Sequence, residues 1–196
     1  MGLLNKKKNL LVMFASPNSQ KHTRTLLNSF IEPFTQDRDW KTTEMNAYEM
    51  QAKPCIGCLA CAKKEECIYD DLDEFDKAFR QSDLFVIASP VYFDSFPSPF
   101  KAILDRTQRY FEARFSLGIE NSIKKGRKAI LLLTMGSEQE TAIDVTIRQL
   151  EMAFGVMNTE LAGCSVWSAT DQKNVENRVF AQKKARELAL EILGRS

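Results

Sequence analysis

Histidine is nearly missing from this chain. His22 is the only one in 196 residues. Sites built from several imidazoles are therefore excluded, and only His22 could serve as the base of a Ser- or Cys-based triad. An excess of charge of one sign is missing too. Lys and Arg number 27 against 26 Asp and Glu, a formal net charge of +1. That balance leaves no electrostatic footprint for nucleic acid, and Lys6-Lys7-Lys8 reads as a short solvated run. No apolar stretch approaches the roughly 20 residues of a membrane span. The start, Met1-Gly2-Leu3-Leu4-Asn5-Lys6, has Lys where a myristoylation signal needs Ser or Thr. Asn9–Ala15 reads as a strand rather than a signal-peptide core, since no small-residue cleavage site follows. The expected location is the cytoplasm, with no membrane and no nucleic-acid partner. Glycine-rich nucleotide fingerprints are absent as well: neither G-x-G-x-x-G nor G-x-x-x-x-G-K-[ST] occurs.

Hydrophobic residues make up 44% and charged residues 27%, as in ordinary globular chains. The length suits one domain spanning 1–196, with a cysteine-rich loop at 50–68. Buried strands are expected at Leu10–Ala15, Asp83–Ala88, Lys128–Leu133 and Glu160–Trp167, with a more polar edge strand over Trp40–Met45. Helical spacing marks Leu26 to Phe34, Asp71–Arg80, a helix from Ser98-Pro99 through Tyr110, Phe111 and Phe115, residues 139–154, and Asn174–Leu193 with Leu188 and Ile192 one turn apart. Ser98 has the look of an N-cap with Pro99 at the first helical position. Strands alternating with helices imply a parallel sheet covered on both faces, with ligands beyond the carboxyl ends of its strands.

That rule brings three distant loops together. The first is Ser16-Pro17-Asn18-Ser19-Gln20-Lys21-His22-Thr23, between the first strand and the first helix. Backbone N–H groups and the positive end of a helix dipole meet there, so a phosphate could be held. The hydroxyls of Ser16, Ser19 and Thr23 could add hydrogen bonds, and Lys21 could add charge. The plainer reading is an ordinary capped turn. The second loop is Ser89-Pro90-Val91-Tyr92-Phe93 and the third Thr134-Met135-Gly136-Ser137; each taken singly could be a mere turn.

Five cysteines occur, and Cys55, Cys58, Cys61 and Cys67 are four of them. Their spacing, C-x2-C-x2-C-x5-C, lets a short loop curl around a cluster held by thiolates, with Gly57 and Ala60 leaving room. Three other readings remain open. Zinc usually takes two separated pairs. A C-x-x-C dithiol could exchange disulfides, but lacks a thioredoxin-like context. Free thiols without any metal are the third. Cys164, within a strand, reads as an inert core thiol.

Together these segments resemble the flavodoxin-like NADPH-dependent FMN reductase superfamily, and most of all its iron-sulfur flavoproteins. Ala15-Ser16-Pro17-Asn18 through His22-Thr23 is similar to the family's G-S-P-R-x-x-G-N-T phosphate loop, with Ala for the first Gly, Asn for Arg and Lys-His for Gly-Asn. Ser89-Pro90-Val91-Tyr92 matches its S-P-V-Y loop, and Thr134–Ser137 its third loop. Phe100 to Arg106 is a further family segment, in which Asp105 and Arg106 read as helix or subunit-contact charges. The resemblance implies a three-layer α/β sandwich with a five-stranded parallel sheet in the order 2-1-3-4-5. It implies an FMN oxidoreductase fed by NAD(P)H or a protein donor, possessing no catalytic side chain of its own. FMN would be bound by Ser16, Asn18, Lys21, His22, Thr23, Ser89, Pro90, Val91, Tyr92, Phe93, Thr134, Gly136 and Ser137. A [4Fe-4S] cluster on Cys55, Cys58, Cys61 and Cys67, and a homodimer or homotetramer, are implied in the same way. The alternatives are a flavodoxin-type electron carrier and a redox or metal sensor working through the cysteine loop.

Overall fold

The computed structural model describes residues 7–194. The amino-terminal Met1–Lys6 stretch weighed above as a modification signal lies outside these residues. The strands are β1 (Lys8–Phe14), β2 (Trp40–Asn46), β3 (Leu84–Pro90), β4 (Arg127–Thr134) and β5 (Thr159–Trp167). All neighbours pair in parallel, in the order β2-β1-β3-β4-β5. The helices are α1 (His22–Thr35), α2 (Ala47–Met50), α3 (Asp73–Gln81), α4 (Ser98–Asp105), α5 (Gln108–Phe115), α6 (Glu140–Phe154) and α7 (Val175–Ile192).

The central strands are buried along almost their whole length, as the unbroken apolar runs require. Alternate residues feed two separate cores. Leu10, Val12, Phe14, Val86 and Leu132 pack under α1 and α7. Leu11, Met13, Phe85, Ile87 and Leu131 pack under α3, α4 and α6. Three layers result, with α1 and α7 on one face, as the alternation of elements implies.

Four local expectations are corrected. The helix expected from residue 98 through 115 is two helices, because the chain turns at Arg106 and Thr107. The N-cap of α4 is Pro97 rather than Ser98, so Ser98 and Pro99 lie in the first turn. A one-turn helix, α2, follows β2 directly and is capped by the Asn46 side chain, which accepts the Tyr48 N–H at 3.0 Å. On α7 the buried stripe is Ala181, Ala185 and Ala189, while Leu188 and Ile192 pack at its margin. Alanines at successive turns let α7 lie close to α1 and β5. Phe111 and Phe115 are exposed and stack on each other at 4.5 Å, whereas Tyr110 is buried.

Candidate functional site

The carboxyl edge of the sheet carries the first loop from β1 to α1. Side-chain bonds shape it locally: Ser16 Oγ accepts the Asn18 N–H at 3.2 Å, and Asn18 Oδ1 accepts the Gln20 N–H at 3.1 Å. Ser16 and Thr23 are buried; Ser19 and Lys21 are exposed. Helix α1 opens at Lys21, whose side chain makes no cap, and no acid lies in its first turn. The N–H groups of His22, Thr23 and Arg24 have no partner within the helix, so a positive helix end faces the loop. By contrast, α7 closes its own amino end, with Asn174 Oδ1 accepting the N–H groups of Glu176 and Asn177.

Thr23 Oγ1 and Thr134 Oγ1 lie 2.7 Å apart in a buried hydrogen bond. That bond ties the first loop to the third across 111 residues of chain. The second loop joins them when the Val91 N–H bonds Thr134 O at 2.9 Å. Ser89 is fully buried with its hydroxyl donated to Pro90 O. Beyond it, Tyr92 and Ser95 exchange both backbone hydrogen bonds, at 2.8 and 3.0 Å. The two residues between them, Phe93 and Asp94, both have positive φ, +50° and +56°. This is the two-residue hairpin geometry that normally selects Gly, Asn or Asp. A phenylalanine at such a φ is strained, and its ring is held fully in solvent.

In the third loop, Gly136 is demanded by close approach. A Cβ there would stand 2.5 Å from Asp171 Oδ2 and 3.0 Å from Asp171 Cγ. Met135 fixes the neighbouring segment: its N–H bonds Trp167 O, and its carbonyl accepts both the N–H and the hydroxyl of Thr170. Between the second and third loops lies a cavity of about 400 Å³ bordered by Val91, Phe93, Asp94, Met135, Gly136 and Ser137. A second one, of about 700 Å³, opens on the α7 side of the first loop, beside Lys21, His22, Trp167, Asp171 and Arg178. His22 meets Trp167 edge to face at 4.8 Å.

All thirteen residues expected around the ligand thus sit on three loops joined by hydrogen bonds at one sheet edge. A fourth loop, following β5, was missed. It supplies Trp167, Thr170 and Asp171. The signal was present: Trp167 ends a strand, and strand ends are where such sheets bind ligands.

The cysteines lie elsewhere, on the long segment between α2 and α3. Its two ends are clamped to each other. Asp71 Oδ2 accepts the Lys53 N–H at 2.7 Å. Arg106 donates to Lys53 O at 3.2 Å and Tyr69 O at 3.0 Å, and pairs with Asp71. Further along, Arg80 pairs with Glu65 at 3.0 Å. Arg106 is therefore a buried loop anchor, 5% exposed, and not the subunit-contact charge expected; Asp105 pairs with Lys101 at the surface.

Cys55, Cys58, Cys61 and Cys67 all line one small cavity of about 40 Å³, together with Arg106 and Arg109. Cys55 and Cys58 are exposed, Cys61 and Cys67 half-buried. Burial pushes the Cys61 thiol up, and Glu112, Cys55 and Cys58 add to the shift. Among the described residues no three Cys, His, Asp or Glu side chains are close enough for one metal ion. A single zinc would draw four thiolates together, whereas a cluster with one cysteine per iron holds them further apart. The donor set, thiolates only and around one cavity, fits the second chemistry. Cys164, in β5, packs on the core, and burial pushes its thiol up to about 12. That keeps it protonated and inert.

Fold and rim define a flavodoxin-like α/β protein. The NADPH-dependent FMN reductase family model matches residues 9–171, and the chain belongs to that family. An iron-sulfur flavoprotein of Methanocaldococcus jannaschii is 24% identical over 149 residues, covering 76% of this chain and 72% of that one. An iron-sulfur flavoprotein of Methanosarcina thermophila is 27% identical over 103 residues, 52% of this chain. The match spans only 53% of that relative's length. Among solved structures, an FMN-dependent NADH-azoreductase from Bacillus anthracis, in complex with FMN, superposes with a TM-score of 0.72 at 17% identity. That superposition covers 94% of this chain and 99% of the azoreductase.

Proposed function

We propose that the chain is an FMN-dependent oxidoreductase that passes electrons from NAD(P)H, or from a protein donor, to a small-molecule or protein acceptor. The observation that carries the reading is the convergence of three loops beside an uncapped helix end. The FMN would supply the redox chemistry when bound. The first-turn N–H groups of α1, with Lys21 and the hydroxyls of Ser16 and Thr23, suit a phosphate dianion. Val91–Phe93 and Thr134–Ser137 border a cavity in which a planar ring could be gripped, and backbone N–H groups there would favour charge building on it. Hydride transfer requires close stacking and no imidazole base, which agrees with a chain that has one histidine. The exposed Tyr92 and Phe93 rings at the rim would exclude water, from this subunit or from its neighbour in a homodimer or homotetramer. A cytoplasmic location follows from the same reading.

We also place a [4Fe-4S] cluster on Cys55, Cys58, Cys61 and Cys67. The support is that all four thiols line one cavity on a segment clamped by Arg106 and Arg80. Such a group would relay single electrons.

Steady-state oxidation of NADH and NADPH, assayed with quinone and azo acceptors in the presence of FMN, tests the enzyme. Turnover that needs FMN supports it. Absence of turnover by an FMN-loaded protein leaves a carrier instead.

A further inference from the structure

Arg106 stands at the break between α4 and α5, far in sequence from every cysteine, yet it forms part of the wall of the four-cysteine cavity. Its two Nη groups are engaged by Lys53 O, Tyr69 O and Asp71. Its Nε–H is not. That atom is buried, in a residue 5% exposed, and no acceptor in the protein reaches it. A buried guanidinium N–H without an acceptor is costly, and native proteins rarely keep one without a reason. The Tyr69 ring lies 5.2 Å from the guanidinium carbon; an aromatic face attracts the charge but does not replace an in-plane acceptor. The only other chemistry brought to this wall is thiolate sulfur.

We infer that Arg106 Nε–H donates a hydrogen bond to a sulfur of the iron-sulfur group held by the four cysteines, and thereby raises its reduction potential. The inference rests on the cluster reading above. A donor to sulfur stabilises the more negative, reduced state more than the oxidised state, so the potential moves upward. The two Nη bonds hold the loop ends, and the same side chain thus positions the loop and tunes its guest. Arg106 is a positioning residue in this account. A lysine keeps the charge but lacks the fork, so Arg106→Lys separates tuning from charge.

The test uses the full chain, reconstituted anaerobically with iron and sulfide and loaded with FMN. One preparation carries arginine labelled with ¹⁵N at Nε. Pulsed EPR of the reduced protein should show a ¹⁵N coupling to the paramagnetic cluster, and Arg106→Lys should abolish it. Potentiometric titration of that variant, at the same iron content, should give a midpoint more negative than the parent's. A loaded parent with no ¹⁵N coupling and a variant with an unchanged midpoint would overturn the inference while leaving the cluster in place. Should the variant fail to load, the coupling in the parent decides. A parent that binds FMN but takes up no iron would overturn the cluster reading and this inference with it.

Discussion

The hydroxyl pair Thr23–Thr134 is the clearest physical link between the loops of the proposed flavin site. Both residues are buried, and their Oγ1 atoms are 2.7 Å apart. Replacing Thr23 with valine keeps the shape and removes one hydroxyl. Thr134 Oγ1 then loses this partner inside the protein, which costs about 1–3 kcal/mol. Taking about 2 kcal/mol, and roughly 2–4 °C per kcal/mol for a chain of this size, Tm falls by about 4–8 °C. Thr134→Val should cost a similar amount. The double variant removes both polar groups together, so its loss should be smaller than the sum by about 1 kcal/mol or more. Chemical denaturation of the four proteins in the cycle, without FMN, measures this. Losses that add within roughly 0.5 kcal/mol would refute the bracing argument. With FMN added, both single variants should bind it more weakly, because the amino end of α1 is no longer held against the third loop.

Other outcomes follow from single sites. Phe93→Gly relieves a left-handed φ and should raise stability by about 1 kcal/mol in thermal unfolding while slowing turnover, if the ring guards the flavin. Asp76 governs the acid limb. Burial pushes its carboxyl up, but the Tyr110 hydroxyl, Arg109 and Arg80 outweigh that and hold it below the ordinary 3.8. Its contribution is complete above that value and lost as pH falls through the lowered native one. Asp76→Asn should therefore flatten the loss of stability between about pH 4 and pH 2, read by denaturant midpoints. In the metal-free protein, Cys55 and Cys58 should react with a thiol reagent at once, and Cys164 only after unfolding; a fast-reacting Cys164 would contradict its burial.

Most of the sheet was legible because β1, β3 and β4 are covered on both faces, and a strand so covered reads as an unbroken apolar run. The order 2-1-3-4-5 came from the family resemblance, and the pairing bears it out. The break at Arg106 was not legible. Its cause is three partners, Lys53, Tyr69 and Asp71, that lie 53, 37 and 35 residues away in sequence. Local spacing sees only a continuing amphipathic pattern there. The alanine stripe of α7 was hidden for a related reason, since an apolar-moment reading weights Leu188 and Ile192 above residues whose value is their small size. The fourth loop went unread because Ala169, Thr170 and Asp171 carry no motif of their own. Asp171 matters through Gly136, and a contact across the sheet edge leaves no trace in either segment alone.

The central claim is that the amino end of α1 holds the phosphate of a flavin lying across the sheet edge. Titrating the purified, flavin-free chain with FMN and with riboflavin tests it directly. The account predicts one FMN per chain and clearly weaker binding of riboflavin, which lacks the phosphate. Equal affinity for the two, or a protein that takes up neither, would contradict it.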